Sequence, residues 1–199
     1  MITIALSKGR QLHDFITYLK EQRLTDWVTP LEAVSRELVV YAPNMRFLLV
    51  KGDDVPVYVE EGVADLGITG SDVLYEQKRM INNLMDLPFG YCHFAIAAKE
   101  PKEVYPVVAT KYVQYTKDYF DSIMQPVKII QLKGSVELAA TIDMADAIMD
   151  IVQTGTTLKE NGLEEQVQLD HINARLIANK HAFFSKNEEI QRIINQLKK

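Results

Sequence analysis

The chain has 199 residues, of which 47% are apolar and 25% charged, the balance of a folded protein with a proper core and room for one large domain or two small ones. Its formal charge of -5 argues against a broad nucleic-acid surface, which is basic, yet leaves room for a phosphorylated small molecule held by a few donors. The single cysteine, Cys92, excludes an intrachain disulfide, and the four histidines (His13, His93, His171, His181) are too scattered for a metal cage. No stretch approaches the ~20 apolar residues of a membrane span. The short run Met1 to Leu6, followed by Lys8 and Arg10, is no signal peptide, so the chain reads as cytosolic.

Strand-like runs alternate with helical periods from one end to the other, which predicts an α/β class. Ile2 to Leu6 reads as a buried strand. After Gly9, Leu12, Phe15, Ile16 and Leu19 recur at helical spacing. Glu37 to Ala42 and Phe47 to Lys51 read as strands, and Asp54 as the cap of a helix with Pro56 in its first turn and Gly62 at its end. Ala64 to Thr69 and Met85 to Phe89 are the next strands, and the rhythm breaks near Gly90. It restarts with His93 to Ala98 and Val107 to Thr110, then a tyrosine-rich helix around Tyr112 to Met124. Val127 to Leu132 and Ile148 to Val152 follow as strands, Leu169 to Ala178 as extended segments, and Ile190, Ile193, Ile194 and Leu197 as one face of a final helix.

One internal echo stands out. Ala64-Asp65 leads through a strand to Thr69-Gly70-Ser71, and Ala145-Asp146 leads through a longer one to Thr154-Gly155-Thr156. Two short α/β units can resemble each other by chance; two similar lobes with ligand-facing turns at their strand ends are the alternative.

The segment Asp150 to Leu158 carries the strongest chemical pattern. A strand ends at a Thr154-Gly155 turn and passes into a short helix through Thr156 and Thr157. Unpaired N–H groups at such a helix start favour phosphate, the three threonines add hydroxyls, and Gly155 lets the backbone come close. Asp150, on the incoming strand, is placed for a ribose diol or Mg²⁺. Ser7-Lys8-Gly9-Arg10, at the first strand–helix junction, offers two cations for polyphosphate, against a plainer reading as solvated charge. Arg36, Arg46, Lys51 and Lys133 read as solvated surface. Glu137 is placed either to line a pocket or to open a helix. Cys92 and His93, adjacent on a strand, point to opposite faces and make no catalytic pair.

Taken together, Ile4-Ala5-Leu6-Ser7-Lys8-Gly9-Arg10, the block Glu60 to Leu74, Gly134-Ser135-Val136-Glu137, the run Ala145 to Leu158 and Asn161-Gly162-Leu163 resemble, in this order, the motifs of the ATP phosphoribosyltransferases. Because nothing follows the last helix, the chain looks like the short form of that family. The resemblance implies two α/β lobes like those of type II periplasmic binding proteins, with the chain crossing twice between them. Residues 1–89 and 176–199 would form the ATP-side lobe, and 90–175 the phosphoribosyl pyrophosphate-binding lobe.

It further implies transfer of phosphoribosyl from phosphoribosyl pyrophosphate to N1 of the adenine of ATP, the first step of histidine biosynthesis. Asp150, Thr154, Gly155, Thr156 and Thr157 would hold phosphoribosyl pyrophosphate, and Lys8, Arg10, Asp65, Thr69 and Glu137 the ATP. Mg²⁺ would ride on the substrate, with Asp150 as its one protein contact. A regulatory subunit resembling histidyl-tRNA synthetase would complete a hetero-oligomer, with a hetero-octamer as the implied assembly. The sequence nominates no general base. A solute-binding protein shares the lobe architecture, and turnover separates the two readings.

Overall fold

Six consecutive buried residues, Ile2–Ser7, form β1, the strand around which the first half of the protein is built. The computed structural model describes residues 1–198. The chain divides into two units: Met1–Gly90 together with the segment from Asn173 onward, and Tyr91–Ile172.

In the first unit the elements run β1, α1 (Arg10–Glu21), α2 (Thr25–Glu32), β2 (Val39–Ala42), β3 (Met45–Val50), α3 (Val55–Glu60), β4 (Leu66–Gly70), α4 (Ser71–Gln77) and β5 (Asn82–Asp86). The second unit contributes β6 (Cys92–Ala98), β7 (Val107–Thr110), α5 (Val113–Ser122), β8 (Lys128–Gln131), α6 (Val136–Thr141), β9 (Ala147–Val152), α7 (Thr156–Glu160) and β10 (Glu164–Ile172). The chain then returns to the first unit as β11 (Ala174–Ala178), α8 (Lys180–Ser185) and α9 (Asn187–Leu197).

The first sheet has the order β2-β3-β1-β4-β11-β5 and the second β10-β6-β9-β7-β8. Inside both lies the same four-strand pattern. In one, β3, β1 and β4 are parallel and β11 runs against β4; in the other, β8, β7 and β9 are parallel and β6 runs against β9. In each unit the antiparallel member is the strand the chain forms just after crossing over. β11 pairs with β4 and β5 from Ala174 or Arg175 onward, so the return to the first unit precedes residue 176.

Alternating residues bury both faces of each sheet. In the first unit Ile2, Ile4, Leu6, Leu66 and Ile68 pack with α1, α2 and α9 through Phe15, Trp27 and Ile190, while Ala5, Leu48 and Ile177 meet α3 through Val55 and Val59. In the second, Cys92, Phe94 and Ile96 pack on α5 through Tyr112, Tyr115 and Phe120, and Ala95, Ala97 and Ile148 on α6 and α7 through Ala139 and Leu158. The tyrosine-rich helix is thus packing, and Phe94 lies stacked on Tyr115 at 3.6 Å between ring centroids.

Three local expectations change. The strand expected over Met85 to Phe89 is β5, displaced to Asn82–Asp86, because pairing with β11 rather than local hydrophobicity selects it. Asp54 stands at the start of α3 after a 3-10 turn, but its side chain makes no capping bond. Arg46 is half-buried rather than solvated: its Nε and Nη2 donate to Thr3 Oγ1 at 3.2 and 3.0 Å across the β1–β3 pair.

Candidate active site

At the carboxyl end of β9 the chain leaves the sheet through Gln153, Thr154 and Gly155 and enters α7. Gly155 sits in the left-handed region, φ 72°, as the residue before the helix. A Cβ there would meet only Val152 Cγ1, at 3.9 Å, so glycine is required by the backbone angle rather than by crowding. No side chain caps α7, so its first N–H groups have no capping partner. Thr154 and Thr156 join hydroxyls at 3.1 Å, and Asn161 Nδ2 donates to Thr157 O at 2.9 Å. Buried Leu158 anchors the helix to the sheet, while Thr154, Thr156 and Thr157 are exposed. The five residues expected at the phosphoribosyl site therefore lie within one strand, turn and helix.

Asp150 is half-buried on β9, with Oδ1 accepting from the Ile151 N–H at 2.8 Å. Its register partner is Ala95, so it shares a face with Val152 and with that strand's partner His93. A recess of about 670 Å³ opens beside the turn, with Thr154, Gly155 and Gln153 on one side and His93 and Glu165 on another. Among the described residues no group of three or more His, Cys, Asp or Glu side chains is placed to hold a metal ion.

The residues expected on the ATP side do not converge in the same way. Lys8 and Arg10 are exposed at the carboxyl end of β1, flanking Gly9, whose φ of 84° turns the chain into α1; Ser7 Oγ donates to Gln11 Oε1 at 2.7 Å across this junction. Asp65 is a correction. It stands at the opposite, amino end of β4, is 7% exposed, and accepts from Thr3 N at 2.9 Å and from Lys186 Nζ at 2.7 and 2.9 Å. Both its oxygens are occupied inside the fold, so it is a structural acid. Thr69 is the second correction: it is wholly buried, its hydroxyl has no hydrogen-bond partner, and it exposes no atom to a ligand. Glu137, half-buried in the first turn of α6, belongs to the other unit.

Two pairs escaped the sequence reading. His93 Nε2 lies 2.9 Å from Glu165 Oε2, a contact between strands that spacing along the chain does not reveal. Asp146 accepts from Lys102 Nζ at 2.8 Å and from Val107 N at 3.0 Å. The lysine, then the backbone N–H, holds the Asp146 carboxyl below its ordinary value, and the same bond raises the Lys102 ammonium. The repeated Ala-Asp dipeptide was the available clue.

No helix is long and apolar enough to cross a membrane, among the described residues. The family model described as HisG: ATP phosphoribosyltransferase matches residues 51–199. An ATP phosphoribosyltransferase of Staphylococcus carnosus is 57% identical over 198 residues, covering 99% of this chain and 97% of the relative. One from Staphylococcus saprophyticus is 49% identical over 197 residues, covering 99% and 96%. Among solved structures, the ATP phosphoribosyl transferase (HisG:HisZ) complex from Thermotoga maritima superposes with a TM-score of 0.81 at 30% identity, over 100% of this chain and 97% of that one. The periplasmic aliphatic sulphonate binding protein SsuA from Escherichia coli matches with a TM-score of 0.67 at 12% identity, over 98% and 70%, and shares the fold alone. The architecture is thus the two-lobe one of periplasmic binding proteins, and the chain belongs to the ATP phosphoribosyltransferase family.

Proposed function

We propose that the turn Thr154–Thr157 holds the 5′-phosphate of phosphoribosyl pyrophosphate and that Asp150 receives the ribose hydroxyls. The activity is that of the family: phosphoribosyl passes from phosphoribosyl pyrophosphate to N1 of the adenine of ATP, releasing pyrophosphate, as the first step of histidine biosynthesis. The observation that carries the site assignment is Gly155, left-handed at the uncapped start of α7 where β9 ends. Open α/β sheets bind ligands at the carboxyl ends of their strands, and helix starts favour phosphate.

The chemistry asks for positioning and charge stabilisation. Adenine N1 is a modest nucleophile, and charge develops on both the sugar and the departing pyrophosphate as the C1–O bond breaks. The turn fixes the ribose from its 5′ end. Asp150, on a buried strand, fixes it from the hydroxyls. Lys8 and Arg10, exposed beside Gly9, counter polyphosphate charge. A single half-buried carboxylate suits Mg²⁺ that keeps most of its ligands on the substrate, as this ion commonly does. Bound there, Mg²⁺ would neutralise pyrophosphate charge, and Asp150 would be its protein contact.

The short-form resemblance and the likeness to the HisG:HisZ complex from Thermotoga maritima support a regulatory subunit resembling histidyl-tRNA synthetase as partner. The biosynthetic activity of the relatives supports the cytoplasm as the place of reaction. The test is pyrophosphate release from ATP and phosphoribosyl pyrophosphate, with and without that subunit and with histidine titrated in. Slow, histidine-insensitive turnover by the chain alone, raised and made histidine-sensitive by the partner, is expected. Full activity and clear histidine inhibition of the chain alone would overturn the partner assignment. No turnover under either condition would overturn the activity.

A further inference from the structure

We propose that Lys111, on the loop leaving β7, binds the pyrophosphate group of phosphoribosyl pyrophosphate beside Asp150 and stabilises the charge that forms as it departs. This rests on the placement of the 5′-phosphate at Thr154–Thr157 and of the ribose hydroxyls at Asp150.

Strand β9 outruns its parallel neighbour. The pairing of β7 with β9 ends at Thr110 and Met149, whereas β9 continues through Asp150 and Ile151 to Val152, paired there with β6. Its last residues therefore present an edge on the side where β7 has stopped. The hydrogen bonds mark that edge. Met149 O faces β7 and accepts from the Thr110 hydroxyl at 2.7 Å, so the Ile151 N–H, further along the same extended strand, points to the same side. Asp150 Oδ1 accepts this N–H at 2.8 Å, which turns the carboxylate toward the loop that follows β7.

Lys111 is the first residue of that loop. Carried one step past Thr110, the parallel register sets it level with Asp150, one strand spacing of about 5 Å away at the backbone. Lys111 is half-buried, and its ammonium lies over the Tyr112 ring at 5.6 Å. Tyr112 is itself fixed: its N–H donates to Thr110 Oγ1 at 2.8 Å, and its buried ring meets Phe94 edge-on at 5.1 Å. A cation resting on a buried ring keeps its place better than a lysine on open surface.

The shape of the substrate selects the group that Lys111 meets. Thr154 lies at most ~13 Å from Asp150 along the chain. A ribose fixed at the turn by its 5′ end and at Asp150 by its hydroxyls carries C1, with the pyrophosphate on it, at the end away from the turn. The loops leaving β7, β8 and β9 hold two cations, Lys111 and Lys133; Lys111 follows the strand next to β9, and Lys133 the strand beyond it. As adenine N1 bonds to C1, the C1–O bond breaks and its electron pair leaves on the pyrophosphate. The ammonium stabilises that charge most as it forms, and gives up no proton in the step.

The two ends of the substrate can be read separately. Ribose 5-phosphate and phosphoribosyl pyrophosphate share the 5′-phosphate and differ in the pyrophosphate, and both are titrated by calorimetry into the full chain. Lys111→Gln should weaken phosphoribosyl pyrophosphate about tenfold or more while ribose 5-phosphate stays within about twofold of the wild type. Lys111→Arg keeps the charge and should restore most of the binding. The single-turnover rate of Lys111→Gln at saturating substrates, with the regulatory subunit bound, should also fall about tenfold. An unchanged rate overturns the part of Lys111 in the departure of pyrophosphate. Equal losses for both ligands, normal binding of both, or the selective loss appearing in Lys133→Gln instead, overturns the proposal. Gly155→Val reads the underlying assignment: it should lose ribose 5-phosphate, and normal binding there means that the turn was misassigned. The ratio of the two affinities in Lys111→Gln decides for or against Lys111 in either case.

Discussion

Asp65 and Asp146 hold the same position in their two units. The Asp65 carboxylate accepts from the Thr3 N–H at 2.9 Å while its own N–H donates to Thr3 O at 2.9 Å; Asp146 does the same with Val107, at 3.0 and 2.8 Å. A lysine closes each lock, Lys186 at 2.7 Å and Lys102 at 2.8 Å. Thr3 and Val107 belong to β1 and β7, the central parallel strands of the equivalent four-strand cores. The Ala-Asp echo is therefore a structural repeat, which joins the amino end of one parallel strand to its neighbour.

Removing these carboxylates should cost stability rather than turnover per folded molecule. Asp65→Ala strands a buried N–H and the half-buried Lys186 ammonium, a loss of about 3 kcal/mol. Asp146→Ala should cost less, about 1 kcal/mol, because Asp146 is 27% and Lys102 48% exposed and water screens the pair. Urea unfolding of the two variants checks the order; an Asp65 variant as stable as the wild type but unable to bind ATP would restore the nucleotide-contact reading.

Acid should release the second lock. The folded Asp146 carboxyl titrates below its ordinary 3.8, mainly through Lys102. A depressed folded pKa gives stability that is present above the unfolded value and disappears as pH falls through the folded one. The stability gap between wild type and Asp146→Asn should accordingly be present at pH 6 and shrink below about pH 4. A gap that stays constant down to pH 2.5 would mean that the ionised form of Asp146 contributes nothing.

Much of the architecture was legible because period and length settle most elements: β1, α1, β6 and β7 lie within a residue or two of the hydrophobic pattern. β5 was misplaced by three residues because its register is chosen by β11, nearly ninety positions away in sequence. α2 was invisible since Pro30 lies inside it, tolerated in a helix whose buried Trp27, Val28 and Leu31 supply the packing. At the site, the Thr154–Thr157 turn was readable because its chemistry is contiguous along the chain. Asp65 and Thr69 were placed on the ATP side by resemblance alone, and sequence does not tell whether a side chain is covered or already paired inside the fold.

Asp150 gives a sharper test of function. Asp150→Asn keeps the shape and the short hydrogen-bonding side chain but loses the charge that would favour a ribose diol or a cation. Activity should fall tenfold or more, about 1.4 kcal/mol in transition-state terms, while the unfolding midpoint stays close to that of the wild type. A variant that unfolds readily yet keeps its activity per folded molecule would make Asp150 a structural strand acid.

The most direct test is titration of phosphoribosyl pyrophosphate into Gly155→Val by calorimetry, with far-ultraviolet circular dichroism to establish that the variant is folded. Valine is strained at φ 72° and places a branched side chain where the phosphate should meet the backbone. The account predicts binding weaker by at least tenfold, about 1.4 kcal/mol, with ATP binding unchanged. A folded variant that binds phosphoribosyl pyrophosphate as tightly as the wild type would contradict it.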